Sequence, residues 1–299
     1  LEKTTYPNFE IVVVDNGSVD EQVKALYKQV ASEKVRILDA SIPFNFSRLV
    51  NMGAAASKGD IILLLNNDIE ILDGDWMHEL VSHAVHNDVG AVGAKLLYPD
   101  GRAQHNGVIV GIGGVAGHSH KFFPGDAPGY FGRAQLHQEL SAVTGACLMT
   151  RTDLYRRLGG FDETDFAVSY NDVDYCLRVW EAGFEVVYDT AATAIHDARE
   201  ISRRATTIAE LEEADLLAGG ERAAPRGLLT LPAPPISGAS QKSHNCWIAS
   251  PPTTSAGPVL RAGLTEVLVN CQVRGACSSR WVAARYRMSS TPPWATSTL

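Results

Sequence analysis

Three runs of apolar residues mark the first third of the chain, and each is too short to span a bilayer. They cover residues 9–14, 61–65 and 89–94, and such lengths are typical of strands buried on both faces of a sheet. Segments with helical periodicity separate them. Strands that alternate with helices predict an α/β fold with a Rossmann-like, doubly wound and mainly parallel sheet.

Capping residues indicate where the helices begin and end. Ser18, with Glu21 three residues later, forms a capping box that predicts a helix to about Ala31. Ser47 is expected to cap a second helix that closes at Gly59. The remaining helices are predicted at 76–86, 151–158 and 171–182, and the remaining strands at 35–38, 143–149 and 185–188.

The first two apolar runs both stop at small polar residues. Asp15 and Asn16 follow the first run, and Asn66, Asn67 and Asp68 follow the second. Ligands of open α/β sheets bind at the carboxyl ends of the strands. A carboxylate beside amides at such a place suits a hard divalent cation that also binds phosphate oxygens of a substrate. The alternative is an ordinary solvated turn, because Asn and Asp are common turn residues.

Composition changes near residue 200. All nine Phe residues lie before it, whereas nine of the fourteen Pro residues lie after it. A segment without Phe and rich in Pro, Ser, Thr, Ala and Gly cannot easily bury a core. We therefore predict one folded domain over residues 1–203 and a largely disordered tail over residues 204–299.

The charge and cysteine content narrow the range of partners and compartments. A formal net charge of −8 argues against nucleic acid as a partner. No run of 18 apolar residues occurs, so we predict no transmembrane segment. The five cysteines are widely spaced and form no C-x-x-C pair, which favours a reducing compartment. We expect a cytoplasmic location, either free or at the inner face of the membrane.

The segment 117–137 combines many Gly and Pro residues with His118, His120 and His137. Two histidines that are two positions apart can bind a metal ion. A mobile loop over the site is the better interpretation of this composition. The metal interpretation is kept as the alternative.

A second group of acids opens the helix predicted at 171–182. Asp174 lies four residues before Arg178, a spacing that favours a helical ion pair. Asp172 has no such partner, so it either stabilises the helix dipole or acts as a general base held over the site. His196 ends a later apolar run and is either an ordinary side chain or a metal ligand. The apolar positions that predict the buried stripe of this helix are Val173, Leu177 and Trp180.

Six motifs, each weak alone, occur in the order and with the spacing seen in family 2 glycosyltransferases. They are VVDNGS at 13–18, AASKGD at 55–60, LNND at 65–68, VTGA at 143–146, GGFD at 159–162 and NDVD at 171–174. The chain resembles this family over about residues 6–203. The resemblance is closest to the rhamnosyltransferase-like branch, which builds bacterial surface polysaccharides, and it implies a GT-A fold.

The resemblance also implies a metal site. Asp68 matches the last acid of the family's metal-binding D-x-D motif, whose first acid is replaced by Asn66 here. His196 matches a histidine that often completes this site. The implied cofactor is Mg²⁺ or Mn²⁺.

The same comparison implies roles in catalysis and substrate binding. Asp172 matches the catalytic base of the family, with Asn171 in place of the preceding acid. Asp15 and Asn16 match the pair that meets the base and ribose of a nucleotide. The other substrate contacts that we expect are Asn67, Thr144, Gly145 and Ala146.

The implied reaction is an inverting transfer of a sugar from a nucleoside diphosphate donor to a hydroxyl of a saccharide or lipid-linked acceptor. A glycoside hydrolase is one alternative, because it also uses paired carboxylates. A catalytically inactive module that binds sugar nucleotides is another. The latter follows from the family's first strand, which is expected before Leu1 and is missing from this sequence.

Overall fold

The computed structural model describes residues 3–112 and 115–197, together with the backbone of residues 265–271. Its helices confirm the predicted alternation with strands, and they are α1 (Glu21–Val30), α2 (Phe46–Ala56), α3 (Trp76–Ala84), α4 (Thr152–Arg157) and α5 (Asn171–Glu181). The strands are β1 (Phe9–Asp15), β2 (Val35–Asp39), β3 (Ile61–Asn66), β4 (Ile69–Ile71), β5 (Val89–Leu97), β6 (Ala103–His105), β7 (Val108–Val110), β8 (Ala116–His118), β9 (Gln138–Glu139), β10 (Cys147–Arg151), β11 (Glu185–His196) and β12 (Thr265–Cys271).

Two helices are capped by residues other than the predicted ones. The cap of α1 is Asp20, whose carboxylate accepts a hydrogen bond from the backbone N–H two residues later. Ser18 instead binds the carboxylate of Asp15. The cap of α2 is Asn45 rather than Ser47, and its side chain accepts a hydrogen bond from the N–H three residues later. Both caps are residues that favour this position.

The main sheet has the order β2-β1-β12-β3-β10-β5-β11-β4. Strands β1 and β2 are parallel, as are β5 and β11. Strand β10 is antiparallel to both β3 and β5, and β4 is antiparallel to β11. Since β1, β2, β3, β5 and β11 all run in one direction, the predicted α/β fold is confirmed, with antiparallel strands inserted among them.

Strand β12 lies between β1 and β3 and is antiparallel to both. The sheet is therefore continuous from β2 to β4. These seven residues are an exception to the disorder predicted for 204–299. The rest of that stretch lies outside the described residues, so the domain boundary at residue 203 stays a prediction.

Hydrophobic layers cover both faces of the sheet. Helices α2, α4 and α5 pack on one face, and α3 packs on the other. Residues 61–64 of β3 are at most 3% exposed and contribute alternately to the two layers, which confirms a strand buried on both faces. The prediction for α5 was wrong at Trp180, which is 58% exposed. The buried positions nearest to it on this helix are Cys176 and Val179.

No helix in the described part of the chain is both long and apolar enough to cross a membrane. Cys147 and Cys176 are free and buried. Burial raises the pKa of both thiols to about 12, so they are protonated at neutral pH. They act as core residues rather than as nucleophiles.

Removal of β12 should destabilise the sheet. A chain that ends at residue 203 leaves the facing edges of β1 and β3 without backbone partners, and each unpaired buried group costs about 1–3 kcal/mol. We expect its midpoint of thermal unfolding, followed by circular dichroism, to be lower than that of a chain ending at residue 275, which keeps β12. Equal midpoints for the two chains would mean that β12 adds no stability.

Candidate active site

The candidate site lies at the carboxyl ends of β1 and β3. Strand β12 pairs with both, joining Asp15 to Thr265 and Asn66 to Glu266. The two strand ends therefore lie at the same edge of the sheet, two strand spacings or about 10 Å apart. The convergence of polar strand ends that the sequence predicts is present.

Asp15 and Asn16 order the turn that follows β1. Asp15 Oδ1 accepts hydrogen bonds from the N–H and the hydroxyl of Ser18. Asn16 Nδ2 donates to the carbonyl oxygens of Ala40 and Ile42, at 2.7 and 2.9 Å. These bonds tie the end of β1 to the segment after β2. A contact of either side chain with a nucleotide stays a prediction.

The sheet brings His196 beside Asp68 although the two are far apart in sequence. His196 is the last residue of β11 and pairs with Ile69 of β4. The N–H of Asp197 donates to the carbonyl oxygen of Asp68 at 3.0 Å. As a result, His196 Nε2 lies 3.1 Å from Asp68 Oδ1. The two predicted metal ligands therefore face each other.

Gln104 fixes the orientation and the tautomer of His196. Its side-chain N–H donates to the His196 carbonyl at 3.3 Å, so its amide oxygen is the atom that lies 2.6 Å from His196 Nδ1. Because an amide oxygen only accepts, Nδ1 carries the proton. In the neutral imidazole, Nε2 then presents a lone pair to Asp68. A metal-binding histidine usually donates such a hydrogen bond from its other ring nitrogen, which fixes the orientation of the ring.

The space between Asn66, Asp68 and His196 contains more hydrogen-bond acceptors than donors. Asn66 Nδ2 lies 3.3 Å from His196 Nε2. The buried oxygens Asn66 Oδ1 and Asp68 Oδ1 receive no hydrogen bond from any described residue. Unpaired buried acceptors are costly, and a divalent cation would satisfy them with one amide, one carboxylate and one imidazole ligand. The three residues fit the ion that the resemblance implies.

Residues 144–146 form the turn that precedes β10, rather than part of a strand that begins at residue 143. The carbonyl oxygen of Ala146 accepts a hydrogen bond from the N–H of Asn66 at 2.9 Å. The N–H of Gly145 donates to Asp172 Oδ2 at 2.8 Å. This turn therefore lies between Asp172 and the end of β3, where Asn66 contacts His196.

Asp172 lies in the first turn of α5 and is held at both carboxylate oxygens. Gly145 N–H binds Oδ2, and the N–H of Val173 binds Oδ1, each at 2.8 Å. Burial raises the pKa of Asp172, and these hydrogen bonds, with one from the Thr144 hydroxyl, offset the rise only in part. A carboxylate with a raised pKa is a stronger base than an ordinary one.

Its neighbours in the NDVD motif have structural roles. Asn171 is 4% exposed, and its side-chain N–H groups donate to the carbonyl oxygens of Phe166 and Val168. Asp174 forms the predicted ion pair with Arg178, at 2.6 Å. These contacts set the start of α5 and leave Asp172 as the acid of this motif that faces the turn at 144–146.

No sequence pattern pointed to His105, a fully buried residue of the short strand β6. Its Nε2 accepts a hydrogen bond from the N–H of Thr144 at 3.3 Å. Its Nδ1 lies 2.8 Å from His118 Nδ1. Burial lowers the pKa of His118 to about 4, so the pair is neutral at pH 7. His105 therefore supports the turn that holds Asp172.

The metal site considered for His118 and His120 is not formed. His118 contacts His105, whereas His120 Nδ1 lies 2.6 Å from the hydroxyl of Ser119. His120 Nε2 accepts from the N–H of Tyr130. The two side chains thus have separate hydrogen-bond partners within the described loop.

The model of glycosyl transferase family 2 matches residues 1–159, which is more than half of the chain. The chain belongs to this family. It is 45% identical over 198 residues to an uncharacterised protein of Sinorhizobium fredii, with 66% of this chain and 22% of that protein covered. It is 40% identical over 213 residues to the O-antigen biosynthesis protein RfbC of Myxococcus xanthus, with 71% and 16% covered. The chain thus spans about a fifth of the length of these two relatives.

A shorter relative and a solved structure extend the comparison. An N-acetylglucosaminyl-diphospho-decaprenol L-rhamnosyltransferase of Mycobacterium tuberculosis is 26% identical over 208 residues, with 62% of this chain and 66% of that protein covered. A mannosyltransferase of Pyrobaculum calidifontis, solved with GDP-Man and Mn²⁺, matches with a TM-score of 0.50 at 15% identity, covering 74% of this chain and 59% of that one. At this identity the match supports the fold alone, and it confirms the expected GT-A glycosyltransferase fold.

The structural role of Asn171 can be tested by restoring an acid. Asn171→Asp places a carboxylate, which donates no hydrogen bond when ionised, against the two carbonyl oxygens that the amide now binds. We expect a loss of about 1–3 kcal/mol in the free energy of unfolding, measured by urea denaturation at pH 7. Asp165→Asn is a control for changing one charge in the neighbouring loop. Unchanged stability of Asn171→Asp would contradict the assigned hydrogen bonds.

Proposed function

We propose that this chain is an inverting glycosyltransferase that moves a sugar from a nucleoside diphosphate donor to an acceptor hydroxyl. The observation that carries the proposal is the turn at 144–146. It binds Asn66 on one side and Asp172 on the other. A donor sugar over this turn would have its leaving group towards Asp68 and its acceptor towards Asp172. In-line displacement requires this separation of leaving group and base.

Asp172 is the proposed general base. Its raised pKa improves its ability to take a proton from the acceptor hydroxyl. The hydrogen bond from Gly145 keeps Oδ2 in a fixed direction, so that the proton acceptor is positioned before the substrate arrives.

Asn66, Asp68 and His196 are the residues that would hold Mg²⁺ or Mn²⁺. When bound, such an ion neutralises charge on the diphosphate leaving group. Gln104 keeps the lone pair of His196 Nε2 directed at this place. Asn67 is exposed beside it and is the proposed contact to the donor phosphates.

Asp15 and Asn16 are the proposed contacts for the base and ribose of the donor. The end of β1 lies two strand spacings, or about 10 Å, from the end of β3, a separation that suits an extended nucleoside diphosphate rather than a small anion. The mannosyltransferase of similar fold is complexed with GDP-Man and Mn²⁺, which supports a donor of this class. A hydrolase needs no such nucleotide contact.

The names of the relatives support a role in surface polysaccharide synthesis. One is an O-antigen biosynthesis protein and another is a rhamnosyltransferase that acts on a lipid-linked sugar. We propose a saccharide or lipid-linked acceptor and transfer of a rhamnose-like sugar. The buried free thiols Cys147 and Cys176 favour a reducing, cytoplasmic location.

A screen of nucleoside diphosphate sugars, read out as nucleotide release with and without Mn²⁺, tests the function. Release that depends on both an acceptor and the ion supports transfer. Donor binding without release would support the inactive binding module instead. Cleavage of a glycoside in the absence of any nucleotide donor would support a hydrolase.

Asp68→Ala should abolish metal-dependent donor binding and leave the fold intact, because the side chain lies at a strand end outside the core. The measurement is calorimetric titration with UDP or dTDP in the presence of Mn²⁺. Asp60→Ala is the matched control, since Asp60 is an exposed carboxylate at the opposite end of β3. Equal affinity for the parent chain and Asp68→Ala would mean that Asp68 and His196 form only an ion pair.

Asp172→Asn should lower turnover by about 10²–10⁴-fold with donor affinity nearly unchanged, because an amide cannot accept the acceptor's proton. Asp174→Asn should cost mainly its ion pair with Arg178, a few tenths of a kcal/mol, and little rate. Steady-state kinetics of nucleotide release compares the two variants. A greater loss of turnover in Asp174→Asn would move the base to that residue.

Two further readouts separate catalysis from folding. The pKa of Asp172 is raised in the folded chain, so its ionised form costs stability above that pKa, and the cost is relieved as the pH falls through it. The free energy of unfolding of the parent, relative to that of Asp172→Asn, should therefore increase as the pH falls through that pKa. In the parent, turnover should fall with decreasing pH at a value above the usual carboxyl pKa of about 3.9.

A further inference from the structure

A second group of metal-ligating side chains lies away from the candidate active site. It comprises His83 on α3, His137 just before β9 and Asp189 on β11, and their ligand atoms all lie within 4.8 Å of one another. We propose that these three residues bind a divalent transition-metal ion of the Zn²⁺ class. The site is independent of the proposed transfer reaction.

The site is separate from the residues around Asp68. Asp189 pairs with Ala94 of β5, whereas Ile195, next to His196, pairs with Leu97. Three residues of strand correspond to roughly 10 Å. One ion cannot be shared between the two groups.

Asp189 supplies the observation that points to a ligand. Its side chain is completely buried, and its Oδ1 accepts hydrogen bonds from His137 Nδ1 at 2.9 Å and from the N–H of Ala191 at 2.8 Å. Its Oδ2 is also buried but receives no hydrogen bond from any described residue. The nearest imidazole nitrogen, His83 Nε2, lies 3.9 Å away, which is beyond hydrogen-bond distance.

The spacing of the ligand atoms suits a small tetrahedral ion. Ligands about 2.0–2.2 Å from zinc are separated from one another by about 3.3 Å. His137 Nδ1 lies 2.9 Å from Asp189 Oδ1 and His83 Nε2 lies 3.9 Å from Asp189 Oδ2. With one ligand atom per residue, the three atoms lie within 4.8 Å of one another, so side-chain rotations can bring them to that separation. His83 and His137 are partly exposed, at 29% and 44%, which leaves room for water at a fourth position.

The protonation states of the three groups are compatible with binding. Burial lowers the pKa of His83, so its imidazole is neutral at pH 7. Burial acts to raise the pKa of Asp189, but the hydrogen bonds from His137 and Ala191 outweigh it and the pKa is lowered. The hydrogen bond to Asp189 raises the pKa of His137, and the metal must displace that proton. Two imidazoles with a carboxylate favour Zn²⁺ over the oxygen-preferring Mg²⁺.

The three ligands come from parts of the chain that are far apart in sequence. His137 ends the loop that follows β8, and residues 190–192 of β11 lie in a register shift whose N–H groups bind Asp189. An ion at this place would join that loop to α3 and to the irregular part of β11. Its role would be to cross-link the loop to the rest of the fold, which lowers the conformational entropy of a long segment of chain.

Co²⁺ is a suitable probe, because four-coordinate sites give it strong visible absorption. The titration uses the Asp68→Ala chain, in which the first site is disabled, and His196→Ala replaces it if circular dichroism shows that Asp68→Ala is unfolded. We expect one equivalent of Co²⁺ with a tetrahedral spectrum. Adding His137→Ala should weaken the affinity by more than about 100-fold, since the loss of a residue that only supports a metal ligand already costs about 10–100-fold.

His86→Ala is the matched control, because His86 is an exposed histidine just after α3 and should keep full binding. Asp189→Asn, which preserves side-chain volume, should lose the site as His137→Ala does. The proposal is overturned if the Asp68→Ala chain takes up no Co²⁺. It is equally overturned if folded His137→Ala and Asp189→Asn bind Co²⁺ as tightly as the His86→Ala control does, for the three residues are then only a buried ion pair and its neighbour.

Discussion

The hydrogen bond from the N–H of Gly145 to Asp172 is the contact on which the site depends. The turn that contains Gly145 also binds Asn66, the last residue of β3. One short segment therefore sets the distance between Asp172 and Asn66. On the other side of the turn, His105 Nε2 accepts a hydrogen bond from the N–H of Thr144. A shift of this turn would move Asp172 relative to Asn66, and small errors in such distances are costly for catalysis.

The candidate site holds several groups whose surroundings are electrostatically unfavourable. Burial raises the pKa of Asp172, and Asn66 and Asp68 each present a buried oxygen without a hydrogen bond from the described residues. Such groups persist only where the rest of the fold is stable enough to hold them. The apolar layers on both faces of β3 provide that stability, because β3 and its neighbour β10 position the Ala146 end of the turn at 144–146.

Much of this architecture could be predicted from local sequence. Runs of mostly apolar residues predicted β1, β3 and β5, and the polar residues after β1 and β3 marked the edge of the candidate site. The residues that support the site gave no comparable signal. Gln104 and His105 lie in a strand of three residues, too short for a periodic pattern, and their partners are 92 and 39 positions away. The caps of α1 and α2 were predicted at Ser18 and Ser47 but are Asp20 and Asn45, because several residues that can cap a helix lie close together in the sequence.

The two amides in the acidic motifs are explained by what they donate. Asn171 binds two carbonyl oxygens through its N–H groups, which an ionised acid at this position could not do. Asn66 Nδ2 lies beside the lone pair of His196 while its oxygen stays available at the metal side. At position 66 the amide also avoids a second negative charge near Asp68, and like charges a few ångströms apart repel strongly in surroundings of low dielectric constant. In the proposed reaction Asn66 would therefore give up ligand charge in exchange for less repulsion of the donor, while Asn171 orders the start of α5 and Asp68 and Asp172 supply the two carboxylates.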